Sequence, residues 1–68
     1  MDKFTNGQTV HTPNGAGIFQ HYLHSEGRLE VMVSHSPKAE IDPDKCESYL
    51  YRNGIWQLCG YLENEVTE

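Results

Sequence analysis

The sequence predicts a small all-β domain, because it combines two tight-turn signals with one clear alternation of side chains. Residues 28–35 place an apolar side chain at every second position, which is the period of a half-buried strand. The pairs Asn14-Gly15 and Asn53-Gly54 are typical of turns, since both residue types accept positive φ values. No long segment carries a helical apolar stripe free of Gly or Pro, so we expect almost no helix.

The first two strands are expected on either side of the turn at Pro13, at about 8–12 and 16–24. Pro13 presets φ for the first corner of that turn. Val10 lies between polar neighbours, as a half-buried strand requires. Gly17 would let a neighbouring strand or loop approach the backbone closely.

The middle of the chain predicts two more strands and a short irregular segment. A turn at 25–27 leads into the third strand at about 28–35, and a short fourth strand is expected at about 39–41. The segment Asp42–Cys46 resembles a turn that opens a single helical or 3₁₀ turn, with Asp42 as its cap.

The strongest hairpin signal covers residues 49–58, which flank Asn53-Gly54. Asn-Gly is the preferred pair for a two-residue type I′ turn, because both positions need positive φ. Such a turn pairs Tyr51 with Trp56, so we expect these two rings to stack across the strands.

The chain of 68 residues predicts a single domain, 1–68, with limited stability. A chain this short buries only about 60% of its unfolded surface, so self-association would help to bury more apolar area. The acidic tail at 63–68 is expected to fray. The candidate core residues are Phe4, Val10, Ile18, Phe19, Tyr22, Leu23, Leu29, Val31, Val33, Ile41, Leu50, Ile55, Trp56 and Leu58.

The charge balance restricts the class of partner. Ten carboxylates against five Lys and Arg give a formal net charge of −5. Such a field repels phosphate backbones and disfavours general nucleic-acid binding, while it permits a basic protein surface as partner or mimicry of a nucleic acid's charge. Solubility alone explains the acidity more simply than either of these partners. No apolar run approaches the ~20 residues that a membrane span needs.

Cys46 and Cys59 are the two cysteines of the chain, and they lack C-x-x-C spacing. The first residues carry neither the basic region nor the apolar region of a secretory leader. We therefore expect a cytoplasmic protein with reduced thiols. One disulfide between these cysteines stays open as the alternative for a protein exported by an unusual route.

The sequence gives no reason to expect catalysis, a metal ion or another cofactor. His21 and His24 are three positions apart, which places them on opposite faces of a regular strand. Neither cysteine has surroundings that favour a thiolate, and no G-x-S-x-G motif is present. The four carboxylates within 40–47 could bind calcium or mimic phosphates, but turn chemistry explains them better, since the EF-hand spacing is missing.

Four aromatic side chains crowd into thirteen residues near the end of the chain. An exposed cluster of Tyr and Trp is the usual composition of a binding hot spot. In the opposite arrangement, equally compatible with the alternation, the rings close the core and Leu50 faces outward. The candidate partner-binding residues are Tyr49, Tyr51, Trp56 and Tyr61.

One stretch of the chain resembles a known family. The run Phe4-x-x-Gly7-x-x-Val10-x-x-Pro13-x-Gly15-x-Gly17-x-Phe19 resembles the opening of the CarD-type RNA-polymerase-interaction domain and, more loosely, KOW modules. With similar later strands, the resemblance covers residues 4–47. It implies an SH3-like (Tudor- or KOW-like) barrel of about five strands, with an added C-terminal hairpin at 48–62. The chain departs from CarD-type domains because no DNA-contacting helical region follows, and from RNA-binding KOW modules because it is acidic.

Together these features predict a non-enzymatic protein-interaction module that binds another protein or a second copy of itself. The resemblance implies an accessory role in a phage, a mobile element or a transcription complex. Two alternatives stay open. One is a nucleic-acid-associated module of KOW or Tudor type, and the other is an acidic mimic that occupies the nucleic-acid groove of a host protein.

Overall fold

Five antiparallel strands form one sheet in the order β1-β2-β3-β5-β4. The structure is a computed structural model, which describes residues 3–39, 41, 46–52 and 54–68. A 3₁₀ turn at Glu63–Glu65 follows the last strand. The strands are β1 Thr9–Thr12, β2 Gly15–Ser25, β3 Arg28–His35, β4 Glu47–Tyr51 and β5 Gly54–Leu62. The all-β prediction is confirmed, and the sheet is not closed into a barrel in the described part of the chain.

The first three strands lie close to their predicted positions. The turn between β2 and β3 has left-handed φ at both central residues, 51° at Glu26 and 76° at Gly27, as a tight hairpin turn requires. Gly17 allows the close contact of β2 with β3, since a Cβ at this position would lie 2.5 Å from Val33 Cγ1. The predicted turn at 25–27 and the predicted close approach at Gly17 are therefore both present.

A β-bulge interrupts β2 between Phe19 and His21. Phe19 pairs with Val33 and Tyr22 pairs with Val31, so Gln20 is an extra residue in the strand. The bulge brings Phe19 and Tyr22 to the same face, with ring centroids 5.0 Å apart. The Tyr22 hydroxyl in turn accepts hydrogen bonds from the backbone N–H groups of residues 3 and 4, at 3.0 and 3.2 Å.

The hairpin of β4 and β5 is an integral part of the sheet and not an addition to it. The nine-residue β5 pairs with β4 on one side and with β3 on the other, from Gln57 to Leu62. The short strand expected at 39–41 is not formed by its described residues, Ala39 and Ile41. The 3₁₀ turn expected at Asp42–Cys46 lies mostly outside the described residues.

The observed register of the hairpin differs from the predicted one. Tyr49, and not Tyr51, pairs directly with Trp56, and Tyr51 pairs with Gly54. The register has a physical reason further along the strands. Glu47 pairs with Leu58, so the next pair outward is Cys46 and Cys59, which are joined by a disulfide with a Cα–Cα distance of 4.7 Å. The expectation of reduced thiols is therefore wrong for this structure.

One face of the sheet carries the hydrophobic core. Segments from both ends of the chain cover this face, because Phe4 near the start and Val66 near the end are both buried in it. Tyr22, Ile41 and Cys46 are partly buried against the same core. The buried core residues are Phe4, Val10, Phe19, Val31, Val33, Cys59, Tyr61 and Val66.

The core prediction was partly correct, since the predicted residues Phe4, Val10, Phe19, Val31 and Val33 are buried in the core. Leu50 and Ile55 are 80% and 52% exposed, and Leu23 is exposed as well. These three residues were expected inside. Met32, Cys59, Tyr61 and Val66 are buried residues that the prediction omitted.

The acidic tail is ordered, against expectation. His11 in β1 and Thr67 form a two-way backbone bridge, with N···O distances of 2.7 and 2.9 Å. The bridge holds Val66 in the core, where it is almost completely buried. The tail therefore contributes to stability instead of fraying.

We predict that removal of residues 66–68 lowers the free energy of unfolding by about 2–3 kcal/mol. The deletion exposes the site of one fully buried Val and breaks the two backbone hydrogen bonds to His11. Urea denaturation of the two forms measures the difference. Removal of Glu68 alone is the control, since this residue is exposed, and equal loss in both truncations would contradict the assignment to Val66 and Thr67.

We also predict that reduction of the disulfide lowers the free energy of unfolding by about 3 kcal/mol. The bond closes a loop between residues 13 positions apart, which restricts the unfolded chain. Thermal denaturation with and without dithiothreitol measures the effect. A double variant, Cys46→Ser with Cys59→Ser, should not respond to the reductant, and a wild-type protein that also does not respond would show that the bond adds no stability.

Candidate functional site

The face opposite the core contains an open cleft of about 530 Å³ at the β4–β5 hairpin. We call it the aromatic cleft. Its walls combine aromatic and aliphatic side chains with a few polar groups. The lining residues are Ile18, Gln20, His21, Ser34, Glu47, Ser48, Tyr49, Tyr51, Trp56 and Leu58.

Strand alternation positions the aromatic side chains of the cleft. Tyr49 and Tyr51 are two residues apart on β4, so they share a face. Tyr49 pairs directly with Trp56, which places the indole on that same face. Because β5 also pairs with β3, Ser34 of β3 lies on this face opposite Leu58. The floor of the cleft is thus built from three neighbouring strands.

The three rings are packed edge to face. The ring centroids of Tyr49 and Tyr51 are 6.5 Å apart with an interplanar angle of 72°. Those of Tyr51 and Trp56 are 5.9 Å apart at 78°, a diagonal contact between strands. Aromatic pairs favour this geometry because the positive ring edge meets the negative ring face. The expected contact between Tyr51 and Trp56 is therefore present, although the two residues are not direct partners.

Polar contacts orient the cleft at its floor and at its rim. The Tyr49 hydroxyl donates a hydrogen bond of 2.9 Å to Ser34 Oγ, which fixes the position of the ring. At the rim, the Arg52 guanidinium carbon lies 5.7 Å from the centroid of the Tyr51 ring. This contact shows that the ring face is accessible to a cation. Glu47 adds a carboxylate to the lining.

The indole of Trp56 carries a polar atom without a partner. Trp56 Nε1 is shielded from solvent, and no described residue accepts its hydrogen bond. An unpaired, desolvated donor costs about 1–3 kcal/mol.

Tyr61, the fourth predicted binding residue, does not belong to the aromatic cleft. It pairs with Val31 on the core face and is buried there. Its hydroxyl accepts a hydrogen bond of 2.8 Å from Asn14 Nδ2 and lies 2.8 Å from His35 Nε2. Tyr61 therefore has a structural role at the opposite side of the sheet.

His35 is a buried polar residue that the sequence analysis did not single out. Its Nδ1 lies 3.1 Å from the Ala16 carbonyl oxygen, which can only accept, so Nδ1 carries the proton. Neutral Nε2 then accepts from the Tyr61 hydroxyl. Burial lowers the pKa of His35, and the hydrogen bond to the Ala16 carbonyl opposes that shift. The signal was present in the sequence, since His35 continues the alternation of Val31 and Val33.

Other candidate chemistry is not assembled in the described residues. Residues 3–39, 41, 46–52 and 54–68 contain no group of three or more His, Cys, Asp or Glu side chains placed to hold a metal ion. The predicted carboxylate cluster at 40–47 lies mostly outside this part of the chain, so its role stays a prediction. Within the same described ranges, no helix has the length and apolar character to cross a membrane.

Comparisons with known proteins identify no relative. No protein-family model, no curated protein and no solved structure matches this chain. The resemblance to CarD-type and KOW domains therefore stays a prediction, and the functional argument depends on the geometry of the aromatic cleft.

We predict that the stability of the protein falls as the pH decreases below about 6.5. The unfolded chain binds a proton at His35 near this pH, whereas the folded chain, with a lowered pKa, binds it only at lower pH. Protonation of His35 therefore favours the unfolded state below about pH 6.5. Above this pH, His35 is neutral in both states and does not lower the stability. Urea denaturation at about four pH values between pH 5 and 8 measures how the free energy of unfolding changes with pH.

The variant His35→Gln should flatten this pH profile, because the residue no longer titrates. His24→Gln is the matched control, since it removes an exposed imidazole instead of a buried one. If the His35→Gln variant keeps the slope of the wild type, the pH dependence comes from another group.

Proposed function

We propose that this protein is a non-enzymatic interaction module that binds a partner protein in the aromatic cleft. The observation that carries the proposal is the edge-to-face cluster of Tyr49, Tyr51 and Trp56 on the face of the sheet opposite the core. Tyr and Trp are enriched among the residues that dominate protein–protein binding energy. They supply large contact areas, and each also offers a polar group.

The cleft is organised before any partner binds. Ser34 restrains the hydroxyl of Tyr49, and the rings of Tyr51 and Trp56 support each other. A side chain that is already ordered loses little conformational entropy when a partner docks against it. This preorganisation favours binding over a role for the rings in closing a core.

The charges favour a partner segment that carries Lys or Arg. The chain has a net charge of −5, and Glu47 lines the cleft. Electronegative ring faces and a nearby carboxylate both attract a cationic side chain. The contact between Arg52 and Tyr51 provides an example of that interaction within the chain itself. The same charges argue against phosphate backbones as the bound group.

The chemistry of the cysteines and of the buried histidine supports a non-enzymatic role. Cys46 and Cys59 are bonded to each other, so neither offers a free thiolate. The ring nitrogens of His35 are both occupied by hydrogen-bond partners inside the core.

An SH3-like architecture is part of the proposal. The five-stranded sheet is open, but the bridge between His11 and Thr67 connects the end of the chain to β1. A 3₁₀ turn at Glu63–Glu65 leads into this bridge. We propose that the fold is a half-closed barrel, in which the terminal segment takes the place of a closing strand.

The redox state of the cysteines in cells would indicate the location of the protein, because compartments differ in whether they keep thiols reduced. Reduced thiols in cells would support the cytoplasmic location expected from the sequence. A persistent bond between Cys46 and Cys59 would favour an oxidising compartment instead. Alkylation of free thiols in freshly lysed cells, followed by mass spectrometry, distinguishes the two states.

The proposal predicts that the protein binds basic peptides on an array and that Tyr51→Ala weakens this binding at least about tenfold. Tyr51 is 51% exposed, so its truncation should leave the fold intact. Ile55→Ala is the matched control, because Ile55 is 52% exposed and lies on the opposite face of the same hairpin. Fluorescence anisotropy of the best peptides measures the affinities.

Two outcomes would contradict the proposal. The first is an array on which the wild-type protein binds no peptide above background. The second is equal binding by the wild type and Tyr51→Ala. A salt series adds a further criterion, since binding of a basic peptide to this acidic chain should weaken as the salt concentration increases.

A further inference from the structure

The strand β4 forms an exposed edge of the sheet. In the described part of the chain, β4 pairs only with β5, and all of its residues, Glu47–Tyr51, are exposed. An edge strand presents a row of backbone N–H and C=O groups to any strand that can pair with it. β4 also supplies side chains to the aromatic cleft, but its edge presents backbone groups, so an inference from the edge goes beyond the proposed function.

The register identifies the backbone groups that point outward from this edge. Cys46 and Cys59 lie opposite each other with a Cα–Cα distance of 4.7 Å, the spacing of a non-hydrogen-bonded pair. The two kinds of pair alternate along an antiparallel ladder, so Ser48 and Leu50 also belong to non-hydrogen-bonded pairs. Their N–H and C=O groups therefore face away from β5.

The side chains of the edge do not protect it. Native proteins commonly protect an edge strand with Lys, Pro or an inward-pointing charge. Glu47 carries the one charge of β4 and lies at the start of the strand, and residues 48–51 carry no charge and no proline. Leu50, at 80% exposure, is the most exposed of the large hydrophobic residues in the described part of the chain.

We infer that β4 pairs antiparallel with β4 of a second copy of this chain, with Leu50 opposite Leu50 of that copy. A two-fold axis perpendicular to the sheet relates the copies, which keeps equivalent side chains on the same face. The outward groups of Leu50 in both chains then bond to each other, as a hydrogen-bonded pair requires. Both copies contribute the same strand, so the contact closes as a dimer.

The side chains favour this register over its neighbour. Tyr49 of each copy lies opposite Tyr51 of the other copy, which gives two such pairs. Leu50 packs against Leu50 of the second copy. Aromatic pairs directly across strands stabilise a sheet. A shift by one pair would place Tyr49 opposite Tyr49 of the second copy, but it would also place Glu47 opposite Tyr51 and Leu50 opposite Ser48. That register keeps one aromatic pair where the inferred register has two, and it loses the contact between the two Leu50 side chains. In the inferred register the two aromatic clefts lie side by side on one face of the joined sheet.

Sedimentation equilibrium tests this dimer from about 10 µM to about 1 mM, because pairing of one short strand buries less area than a standard interface. The wild type should dimerise within this range. Leu50→Lys should raise the dimer dissociation constant at least about tenfold, since two like charges then face each other. Leu62→Lys is the matched control, because Leu62 is also exposed but lies on β5.

A second variant tests the backbone and not the side chain. Leu50→Pro removes an outward N–H group, which an edge strand tolerates, so the monomer should stay folded by circular dichroism and fail to dimerise. A monomeric wild type at every concentration would overturn the inference. A dimer that persists in both Leu50 variants would overturn it as well, because it would use a different surface.

Crosslinking identifies the register. Leu50→Cys should form a bond between copies under mild oxidation, since the Cα atoms of a hydrogen-bonded pair lie about 5.5 Å apart. Ile55→Cys, on the same face of the adjacent strand, should not. Crosslinking through Tyr49→Cys in place of Leu50→Cys would overturn the assigned register. Leu50 lies opposite the cleft face, so peptide binding by Leu50→Lys separates failure of the dimer from failure of the proposed function.

Discussion

The pairing register between β4 and β5 is the constraint on which the aromatic cleft depends. A slip of one residue would move every side chain of β4 to the other face of the sheet. Tyr49 and Tyr51 would then leave Trp56 and point toward the core side. The disulfide between Cys46 and Cys59 prevents this slip, because the two cysteines lie opposite each other only in the observed register. The disulfide, which involves none of the three aromatic residues, thus fixes the face of the sheet on which their rings lie.

Both faces of the sheet carry polar groups that are shielded from solvent. On the core face, the imidazole of His35 and the hydroxyl of Tyr61 complete each other's hydrogen bonds, and Asn14 and Ala16 extend the network to the β1–β2 hairpin. On the cleft face, the indole N–H of Trp56 has no acceptor among the described residues. Gln57 Oε1, on the core face opposite His35, also has no partner among the described residues. Satisfied hydrogen bonds fix the positions of His35 and Tyr61, whereas each unpaired buried group costs free energy.

The sequence was most informative where structure depends on nearby residues. The strand at 28–35 and the existence of the hairpin follow from alternation and from turn chemistry, which are local. The hairpin register could not be predicted in the same way, because it is coupled to the pairing of two distant cysteines. Burial of Tyr61 and Val66 was missed for a related reason, since the chain end returns to β1. Three of the four predicted binding residues meet in the cleft, because alternation decides which hairpin residues share a face.

The bulge in β2 has a consequence for how the chain can change in length. With Gln20 as the extra residue, Phe19 and Tyr22 reach the core side although an odd number of positions separates them. Without the bulge, a regular strand of the same length would turn the rest of β2 over and put Leu23 where Tyr22 now packs. Loss of Gln20 together with the bulge would instead leave Phe19 and Tyr22 two positions apart, with both rings still on the core side. Gln20 is therefore the position in this part of β2 where the loss of one residue keeps the alternation that the core requires.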